Sequence, residues 1–163
     1  MKRYFLKNFM PLIIIFLIIG LSTLTKQLLS STRNIHTVMQ DFMGIFFLVF
    51  GTFKIINIKK FAESYAIYDL IAKHSRLYAL IYPFIELSLG IFYMLRWHLL
   101  FAHWMTLLIM LISSVGVVLE LSKGSQIMCA CLGMVFKVPM TYVTLFEDLL
   151  MALMAALMII LSF

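Results

Sequence analysis

Two residues of this chain have a type and spacing suited to chemistry: its only cysteines, in Met128-Cys129-Ala130-Cys131-Leu132-Gly133. Positions two apart sit about 200° apart around a helix, so thiols that cooperate must lie on a turn or an extended segment. Gly133 and Pro139 mark this stretch as such a loop. A Cys-x-Cys pair can close a small, strained, readily reduced disulfide, the kind used for exchange rather than scaffolding. Two thiolates can also hold a soft ion such as Cu(I), with Met128, Met134 or Met140 adding a thioether. Two small hydrophobes near a membrane boundary are the account without chemistry. Finding both cysteines within three residues argues against that account.

A second group of residues combines charge with apolar surroundings. Glu86 lies inside a hydrophobic run, where a carboxylate is costly and must face other helices and find a partner. Tyr82, Glu86, Gly90 and Tyr93 share one helical face, with Pro83 loosening the turn before Glu86. Lys54 ends the preceding hydrophobic run at the same membrane face, Glu120 ends a later one, and Glu147 with Asp148 opens the last. A Lys54–Glu86 pair, or a protonated Glu86 bonded to a tyrosine, satisfies the carboxyl structurally; proton or metal movement is the functional alternative. His103 is a lone histidine on an apolar face, better read as a bonded core residue than as a ligand. Met151, Met154 and Met158 line one face of the last run and are read as flexible packing, with a thioether track for copper as the weaker account. Gly44 with Gly51, and Ser113 with Gly116, are small residues spaced for close helix contact in lipid.

The elements that position these residues follow from composition. Apolar residues make up 64% of the 163 and charged residues 12%, a balance that a short soluble domain cannot keep in water. The apolar residues come in long runs rather than stripes. Five runs are expected to span a bilayer: Phe9 to Leu24, Val38 to Ile56, Leu77 to Leu95, Leu99 to Leu121, and Leu149 to Phe163. A span needs roughly 20 residues, so the first and last are at the short end. No small-x-small cleavage pattern cleanly follows the first run, so it reads as an uncleaved span.

Orientation follows from the basic residues. With the N-terminus inside, inner segments carry Lys2, Arg3, Lys7, Lys54, Lys59, Lys60, Lys73, Arg76, Lys123 and Lys137, while outer loops carry only Lys26, Arg33 and Arg96. Ten against three is a strong positive-inside bias, and the net charge of +6 is an orientation signal rather than a nucleic-acid footprint. The expected location is a bacterial inner membrane, N-terminus cytoplasmic and C-terminus outside, with the thiols on the reducing, inner side. That side disfavours a permanent disulfide and leaves transient exchange or soft-metal binding. Between the second and third spans, Ile58, Phe61, Tyr65, Tyr68 and Ala72 recur at helical spacing, while Lys59 with Glu63 and Asp69 with Lys73 stand four apart. This predicts an interfacial helix over 57–76 with its tyrosines at headgroup level.

From about Asp41 to the end the chain resembles the MauE/DoxX-like redox-associated membrane proteins. The matching pieces are Phe50-Gly51-Thr52-Phe53-Lys54, Tyr82-Pro83-Phe84-Ile85-Glu86-Leu87-Ser88-Leu89-Gly90, and the run from Cys129 through Pro139-Met140-Thr141 to Glu147-Asp148. The resemblance implies an all-α membrane protein, a four-helix transmembrane bundle, here with one additional N-terminal helix. It divides the chain into 1–36 (leader, first span, polar loop) and 37–163, with a Cys-x-Cys loop over 122–147. It also implies a thiol-redox accessory in which Cys129, Cys131 and Glu86 serve a partner protein or an electron carrier such as a quinone. A related subgroup often carries a heavy-metal-binding domain ahead of the first span; here only the basic leader of seven residues, Met1 to Lys7, and Asn8 precede it and no Cys-x-x-Cys is present. Soft-metal relay by Cys129, Cys131 and Met128 would then need a separate metallochaperone. No nucleotide loop, Ser–His–Asp set or metal-hydrolase spacing occurs.

Overall fold

The computed structural model describes residues 2–29, 34–123, 132 and 142–162, with backbone alone for 2–9 and 142–144. Cys129, Cys131 and Met128 lie outside the described residues. Six helices follow in order: α1 (Lys2–Leu29), α2 (Ile35–Ile56), α3 (Ile58–Tyr68), α4 (Arg76–Leu95), α5 (Leu99–Ser122) and α6 (Tyr142–Ile160). Among the described residues, α2, α4, α5 and the Met10–Leu29 part of α1 are long and apolar enough to cross a membrane. Helix α6 has 19 residues, about 28 Å at 1.5 Å per residue, close to the hydrocarbon thickness of a bilayer. The protein is an all-α membrane protein.

Outward faces are apolar and inward faces hold the polar residues, the arrangement that lipid as a solvent selects. Leu108, Leu111, Val115, Leu119 and Leu153 are exposed, while Asp41, Lys54, Glu86, His103 and Ser113 are buried. α2 packs along α4, and α6 along α5. The α2–α4 crossing is close because Gly44 meets Tyr93 and Met94, Gly51 meets Leu87, and Gly90 meets Leu48. With no hydrophobic drive between helices in lipid, such small-residue contacts supply the van der Waals attraction that joins them. α1 lies against α2, with Phe16 packed on Phe46 and Phe50. A polar latch closes the far end of this pair: Asp41 accepts from Lys26 Nζ at 2.6 Å and from Gln27 Nε2 at 2.7 Å.

The structure redraws several expected boundaries. α1 continues past Leu24 because Lys26 and Gln27 find their partner on α2 and so need not leave the helix. α6 starts at Tyr142 rather than near Leu149, which takes residues 142–147 out of the expected loop and places Glu147 and Asp148 inside the helix. The acidic pair interrupts the hydropathy run without interrupting the helix, because the bundle interior accepts it. The expected interfacial helix 57–76 is α3, 11 residues long, followed by a turn to Ser75. Its apolar face is turned to the protein: Phe61, Tyr65 and Tyr68 are buried against the bundle. Neither expected i,i+4 pair forms. Glu63 instead approaches Arg76 at 3.9 Å, and Asp69 turns inward.

Asp69 explains how the chain re-enters the bundle. It caps the C-terminus of α3, accepts from Ile71 N and Ala72 N through Oδ1, and accepts from Tyr65 Oη at 2.9 Å through Oδ2. Three donors on one carboxylate replace the water it loses on burial. Burial, reinforced by neighbouring Tyr82 and Asp69, pushes the Tyr65 hydroxyl well above its usual range and keeps it a neutral donor. The turn then passes directly over α5 at Gly116, where an added Cβ would stand 2.4 Å from the Tyr68 carbonyl oxygen.

Candidate functional site: a buried lysine–carboxylate cavity

The helices converge on one polar cavity in the half of the bundle that carries α3. Lys54 comes from the last turn of α2, Glu86 from the middle of α4, Ser113 from α5, and Glu147 with Asp148 from α6. Lys54 Nζ donates to Glu86 Oε1 at 2.5 Å, and both side chains are buried. The ammonium also lies 4.9 Å from the Tyr82 ring centre and 5.6 Å from that of Phe61, so two aromatic faces share its charge. Tyr65 stacks on Phe61 and leans on Tyr82, which completes an aromatic wall on the α3 side. Across the cavity Ser113 Oγ donates to Asp148 Oδ2 at 2.8 Å.

The cavity is small, ≈ 30 Å³. A water needs roughly 10–15 Å³ on this measure, so there is room for a water or two and none for an organic ring. One atom facing this space stands out. Among the described residues, Oε2 of Glu86 has no hydrogen-bond partner, although Glu86 is 1% exposed.

The expected Lys54–Glu86 pair is therefore present, and Tyr82, Glu86, Gly90 and Tyr93 share the buried face of α4 as their spacing predicts. His103 is a bonded core residue: its Nδ1 lies 3.0 Å from Tyr93 Oη, which also contacts Thr106. Met151 and Met158 are buried and Met154 partly so, consistent with packing. No group of three His, Cys, Asp or Glu side chains able to hold a metal occurs among the described residues. The expected thiol site at Cys129 and Cys131, with Met128, falls outside those residues, but its sequence neighbour Leu132 is fully buried in the core.

Sequence reasoning overlooked Asp41 and the Ser113–Asp148 bond, and it paired Asp69 with Lys73 rather than with Tyr65 and two backbone amides. The signal for Asp41 was available: an acid within a hydrophobic run, with a lysine near the end of the preceding one, is the logic that singled out Glu86. Ser113 read only as a small packing residue, because nothing local shows that Asp148 lies across from it.

Comparison with known proteins supplies one finding. The family model described as methylamine utilisation protein MauE matches residues 32–161, which leaves α1 outside the match and takes in α2 through α6. No curated protein and no solved structure matches.

Proposed function

The chain belongs to the MauE family of membrane proteins, and from that premise we propose that it is a thiol-redox accessory acting through Cys129 and Cys131 on a partner protein. The observation that carries the reading is the polar cavity around Glu86, on the half of the bundle where α5 ends and α6 begins. The connection between those two helices holds both cysteines. The family description names methylamine utilisation, and an accessory role in that process is the wider setting. The membrane is a bacterial inner membrane in this reading, with the thiol connection cytoplasmic and residues 37–163 forming the family unit.

In the exchange, one thiolate of the pair attacks a disulfide sulfur of the partner. The partner's S–S bond breaks, a mixed disulfide forms and the leaving sulfur departs as a thiolate. The second cysteine then attacks its neighbour, closes a Cys129–Cys131 disulfide and frees the partner's other sulfur. The partner gains two electrons, the pair loses two, and the two protons shed by the pair pass to the released thiolates. A pair two residues apart makes a strained disulfide, which a cytoplasmic thiol reductant reopens by supplying two electrons and becoming a disulfide itself. Glu86 stands in this scheme as a proton-handling group and not as a thiol contact.

Thiol labelling on right-side-out and inverted vesicles tests the proposal. The expected result is labelling from the inner side that falls on mild oxidation, returns with a reductant, and vanishes in Cys129→Ser/Cys131→Ser. Labelling blocked by Cu(I) but indifferent to oxidants would transfer the site to a soft-metal relay. Thiols unreactive from either compartment would end the redox reading.

A further inference from the structure

The charges around the cavity do not balance. Lys54 is the one cation that lines it among the described residues, and it faces two carboxylates, Glu86 and Asp148, even with Glu147 left aside. Asp148 accepts from the neutral hydroxyl of Ser113, and Lys54 is already committed to Glu86 at 2.5 Å. The other titratable groups facing the space are hydroxyls: Tyr65 and Tyr68 from α3, and Tyr82 from α4. Asp69, just beyond, is held by Tyr65 and two backbone amides. A part-buried carboxylate with no cation beside it carries a desolvation cost that a further positive charge would offset.

We propose that the cavity stores one exchangeable proton, shared between Glu86 and Asp148 through a water-sized space, with Lys54 balancing the other of these two carboxylates. Two observations support this beyond the charge count. Among the described residues Oε2 of the buried Glu86 meets no hydrogen bond of good geometry, as an oxygen would that waits for a proton or a water. The ≈ 30 Å³ of free space is enough for the water that links it to the opposite wall. A metal cation is the other source of positive charge, but the described residues offer no set of three ligating side chains. The proton site rests on the cavity alone and is separable from thiol exchange.

Infrared difference spectroscopy of the full chain in lipid nanodiscs, in sodium-free buffer at neutral pH, tests the proposal directly. The parent is expected to show a protonated-carboxyl band that shifts in D2O. Glu86→Gln and Asp148→Asn are each expected to remove one carboxyl's worth of band, because either leaves one carboxylate for Lys54. Lys54→Met is expected to add one carboxyl's worth. If that variant fails to fold, the parent and the two isosteric amides decide. Absence of the band in the parent, or its loss in only one amide variant, overturns the shared proton. Loss of the band on adding Na+ overturns it too, by giving the cavity to a metal cation. Cys129→Ser/Cys131→Ser is expected to leave the band unchanged, so failure of the thiol reading and failure of the proton site remain distinguishable.

Discussion

The cost of burying Lys54 and Glu86 is met only when both are present. Each ion gives up its water, and the return is one short charge-assisted bond with two aromatic faces on the ammonium. Removing one partner strands the other, so Lys54→Ala is expected to lower stability by about 3–5 kcal/mol. Replacing both, in Lys54→Met/Glu86→Leu, is expected to restore much of that loss while keeping one carboxyl's worth of the proton band, now on Asp148. Unfolding in mixed micelles by detergent titration would measure both; a double variant as unstable as the single would show that the pair is more than a matched burial. Asp69 solves the same problem without a cation, through Tyr65 and two backbone amides. Asp69→Asn is therefore expected to loosen the α3–α4 turn, read as faster hydrogen exchange at Ile71 and Ala72, and unchanged exchange there would discard this role.

At the scale of elements, the small residues decide how close the helices and turns approach. At Gly116 the turn after α3 crosses α5 with its carbonyl in the space a side chain would take, and backbone cannot swing away as a flexible side chain can. Gly116→Ala is expected to cost about 1–3 kcal/mol as overpacking. Gly20 of α1 has open space around it, so Gly20→Ala is expected to be neutral or to stabilise by up to about 1 kcal/mol through helix propensity. The same detergent titration on both variants checks the contrast, and equal effects would remove the close-approach argument. The amphipathic pattern of α3 was legible, since Phe61 and Tyr65 recur on one face. Its destination was not. The same periodicity serves a helix lying on lipid and one packed under a bundle, and only the neighbours distinguish them.

For the whole molecule, α1 stands apart: it packs on α2 with Phe16 against Phe46 and Phe50, is latched by Asp41, and precedes the stretch matched by the family model. The excess of lysine and arginine at the α3 end carries a topological prediction. A reporter active only in the cytoplasm, fused after Phe163, is expected to be silent, and one fused after Lys60 is expected to be active. The reverse pattern would move the thiol connection to the outer side and make oxidation its ordinary state.

The sequence by itself determined that this is a helical membrane protein, where most of its spans run, and that Glu86 must face inward to a partner. All three follow from solvent: a bilayer tolerates neither unpaired backbone nor a lone charge, so long apolar runs and isolated acids are legible one residue at a time. Only the tertiary structure decided that Lys54 is the partner taken, that Asp148 meets Ser113, and that the α3 tyrosines wall a cavity. Those are contacts between helices distant in the chain, and their register is set by side-chain shape at the crossings, which no local pattern encodes.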